Sequence, residues 1–170
     1  MTMFLSDPDV RYKQEFSDML AEWKATGEEL IPWVLDLDSS DFEKYVQDLN
    51  DYGRGIGLAE GKVPHSTHWL INDGRLVGVA NFRHQLTEKL LASGGNIGYG
   101  IRPSERRKGY ATKLLELTLE KARERGLKRV LLVCDKNNIG SARTIINNGG
   151  VLENEPLIDG KVQQRYWIEL

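Results

Sequence analysis

Hydrophobic positions recur with two different periods along the chain, and the change of period divides it. Tyr12, Phe16, Met19, Leu20 and Trp23 fall at i, i+4, i+7, i+8 and i+11, one continuous helical stripe. Ser6 or Asp7 can cap this helix, Pro8 suits its first turn and Gly27 can end it. Phe42, Tyr45, Val46 and Leu49 repeat the pattern behind a cap at Asp38–Ser40 and stop at Gly53. The stretch Gly53-Arg54-Gly55-Ile56-Gly57 follows a helix rather than a strand, so it reads as a linker and not as a phosphate loop.

Strands begin near residue 67. Thr67–Ile71 and Arg75–Arg83 flank Asn72-Asp73-Gly74, where Asp-Gly favours the positive φ of a tight hairpin. Leu86–Leu91 fits a short helix closed by Gly94-Gly95. Asn96–Arg102 is a strand with Ile97, Tyr99 and Ile101 on one face, ended by Pro103. A long helix is predicted from about Lys108 to Arg125, with Ala111, Leu114, Leu115, Thr118, Leu119 and Ala122 inward and Gly126 as terminator. Arg129–Cys134, with Val-Leu-Leu-Val at its centre, reads as a central strand buried on both faces and parallel to a neighbour. A helix over 139–147 and a hairpin of Val151–Glu155 with Val162–Leu170 around Asp159-Gly160 complete the chain. The order is helices, antiparallel strands, then β-α-β-α-β-β, a mixed α/β fold with helices packed on a sheet.

The 170 residues suit one domain, 1–170. No apolar run approaches the ~20 residues of a membrane span, and Met1–Asp9 lacks the basic start and apolar centre of a signal peptide, so a cytoplasmic protein without membrane contact is expected. Cys134 is the only cysteine, which excludes an intrachain disulfide and a cysteine-cluster metal site. His65 and His68, three apart on an extended segment, point to opposite faces and make a poor metal pair, so no metal is expected.

The net charge of −2 conceals an asymmetry: residues 1–100 carry 9 Lys/Arg against 16 Asp/Glu, and residues 101–170 carry 14 against 9. With a pI of about 6.0 a nucleic-acid partner is not expected. The split suggests an anionic ligand near the second half and a cationic one near the first.

The anionic ligand has an address. Between Arg102 and Lys113 five bases stand against Glu105 alone, in a turn between a strand and a long helix. A helix N-terminus presents unpaired N–H groups and partial positive charge to phosphate oxygens. Gly109 removes a Cβ from the approach, and Ala111 keeps the next turn thin. Neither a Walker lysine nor three spaced glycines are present.

Arg106-x-x-Gly109-x-Ala111 in this setting resembles the acetyl-CoA pyrophosphate motif of the GNAT superfamily of N-acetyltransferases. Asn138-x-x-Ser141 followed by Asn148-Gly149-Gly150 is similar to that family's next element. The resemblance covers residues 68–170, with 1–67 as the variable helical part on the acceptor side. It implies a GNAT fold, acetyl-CoA as cosubstrate, and direct attack of an amine on the thioester through a tetrahedral intermediate. It further implies that Ile101 and Arg102 offer backbone groups to the pantetheine arm. Arg106, Arg107, Lys108, Gly109, Tyr110, Ala111 and Thr112 would hold the pyrophosphate, and Asn138 and Ser141 would contact the arm or the adenylate.

Two positions depart from the family pattern. Ile145 stands where many relatives carry a tyrosine that protonates the leaving thiolate. Gly95 and Asn96 stand where some carry a general base, and neither titrates. Asn96 can hold a water but cannot accept a proton, so that water or His84 is the expected route for the acceptor's proton. Tyr99 and Tyr166 are the tyrosines placed near such a cleft, Glu60 is a candidate acceptor carboxylate, and Asp135 fits a turn cap. Cys134 fits core filling. The amine acceptor is expected to be a small molecule or peptide, cationic before reaction. The alternative is an acyl-CoA-binding regulatory protein with little turnover. An aromatic final strand would permit a homodimer.

Overall fold

The computed structural model describes residues 2–170. Its elements are β1 (Met3–Ser6), α1 (Lys13–Ala25), α2 (Phe42–Gly53), β2 (His65–Asn72), β3 (Arg75–Arg83), α3 (Glu88–Ala92), β4 (Ile97–Ile101), α4 (Tyr110–Glu124), β5 (Arg129–Asp135), α5 (Ile139–Asn147), β6 (Val151–Asn154), β7 (Leu157–Ile158) and β8 (Lys161–Glu169). The chain is a mixed α/β protein, as its hydrophobic periods predict. No helix among the described residues is long and apolar enough to cross a membrane.

The strands form two sheets rather than one. The first runs β1-β2-β3-β4, antiparallel throughout, and the second runs β5-β8-β6, with β7 also paired to β8. The Asp73-Gly74 and Asp159-Gly160 turns carry the positive φ that tight hairpins need. One face of the first sheet is covered by α1 and α2, where Phe16, Met19, Trp23, Tyr45 and Leu49 pack on Trp69, Ile71, Leu76 and Val79. The other face carries α4, whose Leu114 packs on Leu70, Val77, Ala80 and Ile101, and whose Leu115 and Leu119 pack with Phe82, Ile97, Val130 and Leu132.

Three further expectations are corrected. The chain opens with a strand, not a helix: β1 pairs with β2, so residues 1–67 extend the sheet as well as supplying helices. A four-residue strand followed at once by Asp7-Pro8 has too few alternations to show a period. The first helix starts later than Ser6 or Asp7 implies. Asp9 caps a single 3-10 turn, and α1 follows from Lys13. β5 is buried as its apolar run predicts, but its ladder partner is β8 and the pairing is antiparallel.

What β5 does on its other side shapes the site. It meets the first sheet through one isolated bridge, Gly95 with Leu132, and through the Asn96 N–H donating to the Leu131 carbonyl at 2.8 Å. Gly95 has φ +66°, and a Cβ there would run into the Leu131 backbone. Only glycine lets the chains approach so closely. Beyond this point β4 and β5 share no ladder, and the sheet is split.

Candidate active site

Three elements converge on the split: the end of β4, the turn into α4, and α5. Arg107 (φ +62°) and Gly109 (φ +83°) are both left-handed, so the chain from Arg106 to Tyr110 coils into a backbone concavity at the start of α4. No side chain caps α4, and a Cβ built on Gly109 meets nothing within 4 Å. The first N–H groups of a fifteen-residue helix therefore face open space on a bare backbone, the cradle that a pyrophosphate needs.

The bases of the turn have different employment. Arg102 is buried against α1: its Nε donates to Glu22 at 3.0 Å and its Nη1 to Glu15 at 3.3 Å and to the Leu76 carbonyl at 3.3 Å. Arg106 forms a two-pronged pair with Glu28, at 2.8 and 2.7 Å, and its Nε donates to the Ile101 carbonyl. Lys108 is tied to Glu105, which also accepts from Arg75, and Lys113 to Glu116. Arg107 alone of the five has no carboxylate partner among the described residues.

The carboxylates respond accordingly. Partial desolvation pushes Glu22 upward, but the Ser104 side chain, Arg102 and the Ser104 backbone outweigh it and hold the group below its usual range. Arg106 holds Glu28 down in the same way, principally through the hydrogen bonds. Three acids of the N-terminal half, Glu15, Glu22 and Glu28, are thus engaged in neutralising the basic turn.

Inside the split, Tyr99 reaches from β4 to α5, its hydroxyl 2.9 Å from Ser141 Oγ. Burial pushes the Tyr99 phenol up to about 12, so it is protonated at neutral pH. The Cys134 thiol lies beside the pair and is likewise raised by burial, with Ser141 opposing. Asn138 Oδ1 accepts the Ser141 N–H at 3.1 Å, which makes Asn138 the N-cap of α5. Ile101 lies at the end of β4 and its carbonyl is taken by Arg106. Tyr110, Ala111 and Thr112 form the first turn of α4, where the Tyr110 hydroxyl accepts from Asn72 and the Thr112 carbonyl accepts from Asn148.

His84 and Asn96 lie elsewhere. Arg83 N–H donates to the Asn96 carbonyl at 2.6 Å, so the end of β3, with His84 next in the chain, adjoins the beginning of β4. That is ~15 Å of strand from Ile101. The His84 Nε2 pairs with the Ser66 hydroxyl at 2.8 Å, and burial lowers its pKa to about 4. His84 borders a cleft with Leu91, Asn96, Leu127, Arg129 and Trp167, at the joined end of the strands. Asn96 is 2% exposed. Its Oδ1 accepts the Leu131 N–H at 2.9 Å and its Nδ2 donates to the Arg83 carbonyl at 3.1 Å, so the amide straps β3 and β5 together at the apex of the split.

Sequence reasoning passed over Asn148. Its Nδ2 donates to the Thr112 and Thr144 carbonyls, tying the end of α5 to the first turn of α4. The Asn-Gly-Gly run marked the turn, but nothing local marks a bond 36 residues away.

A split between two strands, opening onto a left-handed turn and an uncapped helix, defines the architecture of an acyl-CoA-dependent acetyltransferase. The chain belongs to the GNAT acetyltransferase family, whose domain model, Acetyltransferase (GNAT) domain, matches residues 3–151. No curated protein matches the sequence. Among solved structures, RimL, a ribosomal L7/L12 α-N-protein acetyltransferase in complex with coenzyme A through a cysteine disulfide, is 18% identical. The match has a TM-score of 0.73 and covers 100% of this chain and 95% of that one. An acetyl transferase from Salmonella typhimurium that modifies the N-terminal serine of ribosomal protein L7/L12 is 17% identical, with a TM-score of 0.71 and coverage of 100% and 96%. The microcin C7 self-immunity acetyltransferase MccE, in complex with acetyl-CoA and AMP, is 16% identical, with a TM-score of 0.70 and coverage of 99% and 92%.

Proposed function

We propose that this chain transfers the acetyl group of acetyl-CoA directly to a primary amine of a small molecule or peptide. Residues 68–170 hold the cosubstrate and residues 1–67 wall the acceptor side. The observation that carries the reading is the left-handed pair Arg107 and Gly109 ahead of an uncapped α4. Backbone N–H groups from Lys108 to Thr112 and the unpaired Arg107 side chain receive the pyrophosphate. Acetyl-CoA supplies the activated acyl group, and the split between β4 and β5 admits its arm beside Tyr99. The Arg102 and Arg106 side chains shape the turn, fastening it to α1, while their charge is met by glutamates.

The Tyr99 hydroxyl, held by Ser141, is the proton donor for the departing thiolate, in place of the tyrosine that Ile145 replaces. His84 and Asn96 act as positioning residues at the apex. The groups that adjoin the Tyr99 hydroxyl among the described residues are Ser141, Thr144 and Cys134, none a strong base, so the acceptor amine reacts as the free base delivered by solvent. This last point also favours a second reading, a regulatory protein that binds acyl-CoA with little turnover.

Calorimetric titration with coenzyme A, followed by thiol release with acetyl-CoA and a panel of primary amines, tests both. Binding with amine-dependent release establishes the transferase. Binding without release across the panel favours the regulator, and absence of binding overturns the reading of the turn.

A further inference from the structure

Gly98 and Gly100 share the face of β4 that α1 and α2 cover, opposite Ile97, Tyr99 and Ile101. Against Gly98 lies the guanidinium of Arg83. A Cβ on that glycine would sit 3.2 Å from Nη1, 3.3 Å from Nη2 and 3.6 Å from Cζ. The Nη1 atom is buried and has no hydrogen-bond partner among the described residues. Burial alone lowers the Arg83 pKa, to about 10, with no carboxylate opposing it. At neutral pH the group is still a cation.

The contrast with Arg102 is informative. That arginine, deeper in the same sheet, is met by two glutamates, and the more exposed Arg106 by one. A buried charge is normally paired, because desolvating an ion costs several kcal/mol. Among the described residues no acid pairs with Arg83.

The surroundings of Arg83 resemble a ligand wall. Its cross-strand partner is His65, whose pKa is lowered to about 4 by burial first and then by Arg83 and Lys62, so the imidazole is neutral. Trp33 and Tyr52 lie on His65 at ring-centroid distances of 5.4 and 5.1 Å. Lys62 Nζ stands 4.9 Å over the Trp33 ring and forms no ion pair among the described residues. Asn81 joins the group, accepting from Trp33 Nε1 at 3.3 Å and bonding His65 Nδ1 at 2.9 Å. Two unpaired cations, aromatic rings and a neutral imidazole thus gather beside the middle of β4.

Building on the transferase reading, we infer that the acceptor carries an oxyanion, carboxylate or phosphate, that docks on Arg83, with Lys62 at the rim. Only an oxyanion offers the guanidinium fork two acceptors at once and the countercharge it lacks. The acceptor is therefore an amine with an acidic group of its own. The acid-rich N-terminal half suggests an acceptor that is cationic before reaction, but its glutamates at α1 are engaged with the basic turn.

The test compares wild-type protein with Arg83→Met and Arg83→Lys, each with and without saturating coenzyme A. Thermal midpoints are measured in chloride, acetate and phosphate at equal ionic strength. The expected result is a wild-type midpoint higher by about 3 °C in one or both oxyanions, no such rise in Arg83→Met, and a partial rise in Arg83→Lys. Which anion acts distinguishes carboxylate from phosphate. Equal anion responses in wild type and Arg83→Met overturn the inference. The second arm follows acetylation of glycine, glycinamide and aminomethylphosphonate. A tenfold or greater preference for an acidic member that vanishes in Arg83→Met supports the inference, and a wild-type preference for glycinamide overturns it. Loss of coenzyme A binding in the wild type would instead sink the transferase reading and leave the anion comparison standing.

Discussion

Arg102, at the end of β4, and Glu22, on α1, form a partly buried ion pair 80 residues apart, with Nε 3.0 Å from Oε2. Glu22 Oε1 also accepts the Ser104 N–H at 2.5 Å, so one carboxylate holds both the strand end and the turn beyond it. The first helix is therefore a fastening for the cofactor turn as well as a cover for the sheet.

Removing the arginine leaves two half-buried carboxylates without their cation. Arg102→Met should cost about 1–3 kcal/mol of stability, with Glu22→Gln milder. Chemical denaturation checks this. Because the folded pKa of Glu22 and of Glu28 is depressed, their contribution is present above the ordinary glutamate pKa of 4.5 and lost as pH falls below it. Coenzyme A affinity should weaken over the same acid range as the turn loosens.

Gly109→Glu should abolish coenzyme A binding while the protein still folds, since a Cβ there meets open space but the carboxylate meets the pyrophosphate. Gly109→Ala separates the effects: the left-handed backbone costs it about 1–2 kcal/mol of stability, with a smaller loss of affinity. Arg107→Gly relaxes the same conformation and removes the unpaired charge. Its coenzyme A affinity should fall and lose much of its salt dependence, measured by calorimetry at two ionic strengths.

Tyr99→Phe should lower kcat by about 10²-fold with little change in coenzyme A affinity, if its hydroxyl protonates the leaving thiolate. Ser141→Ala, which frees that hydroxyl, should give a smaller loss. Equal activity of wild type and Tyr99→Phe would remove the donor role.

The pH profile discriminates among bases. An ammonium of pKa ~10.4 is about 0.04% free base at pH 7, so kcat/KM should climb nearly tenfold per unit from pH 7 to 9. No inflection near 6.5 is expected, because His65 and His84 titrate at about 4. Their folded pKa values lie below those of free imidazole, so the stability they contribute is complete above pH 6.5 and is lost as pH falls towards 4. His84→Ala should leave the slope of the activity profile intact.

The fold was legible where period and turn chemistry agree. The α4 stripe, both Asp-Gly hairpins and the motif turn all follow from residues close in sequence. What escaped is non-local. Whether Val130–Cys134 pairs in parallel or antiparallel fashion depends on β8, more than 25 residues on, and an apolar run looks the same in either ladder. The engagement of Asn96 as a strap and of Arg102 and Arg106 as fasteners is equally invisible locally. A basic turn facing a phosphate and one facing glutamates have the same composition. Arg83 carried no signal at all, because what marks it is the lack of a partner.

The glycines of β4 have an evolutionary consequence. With Gly98 and Gly100 bare on the α1 and α2 side and Tyr99 facing the opposite way, the strand is a partition one backbone thick. Side chains contributed by α2, β2, β3 and the segments flanking α2 stand on one side, and those of α4 and α5 on the other. Substitution at Trp33, Tyr52, Lys62 or Arg83 can therefore retune the choice of acceptor while the coenzyme A cradle stays untouched. Descendants of this chain are free to change clients without relearning the shared currency of the reaction.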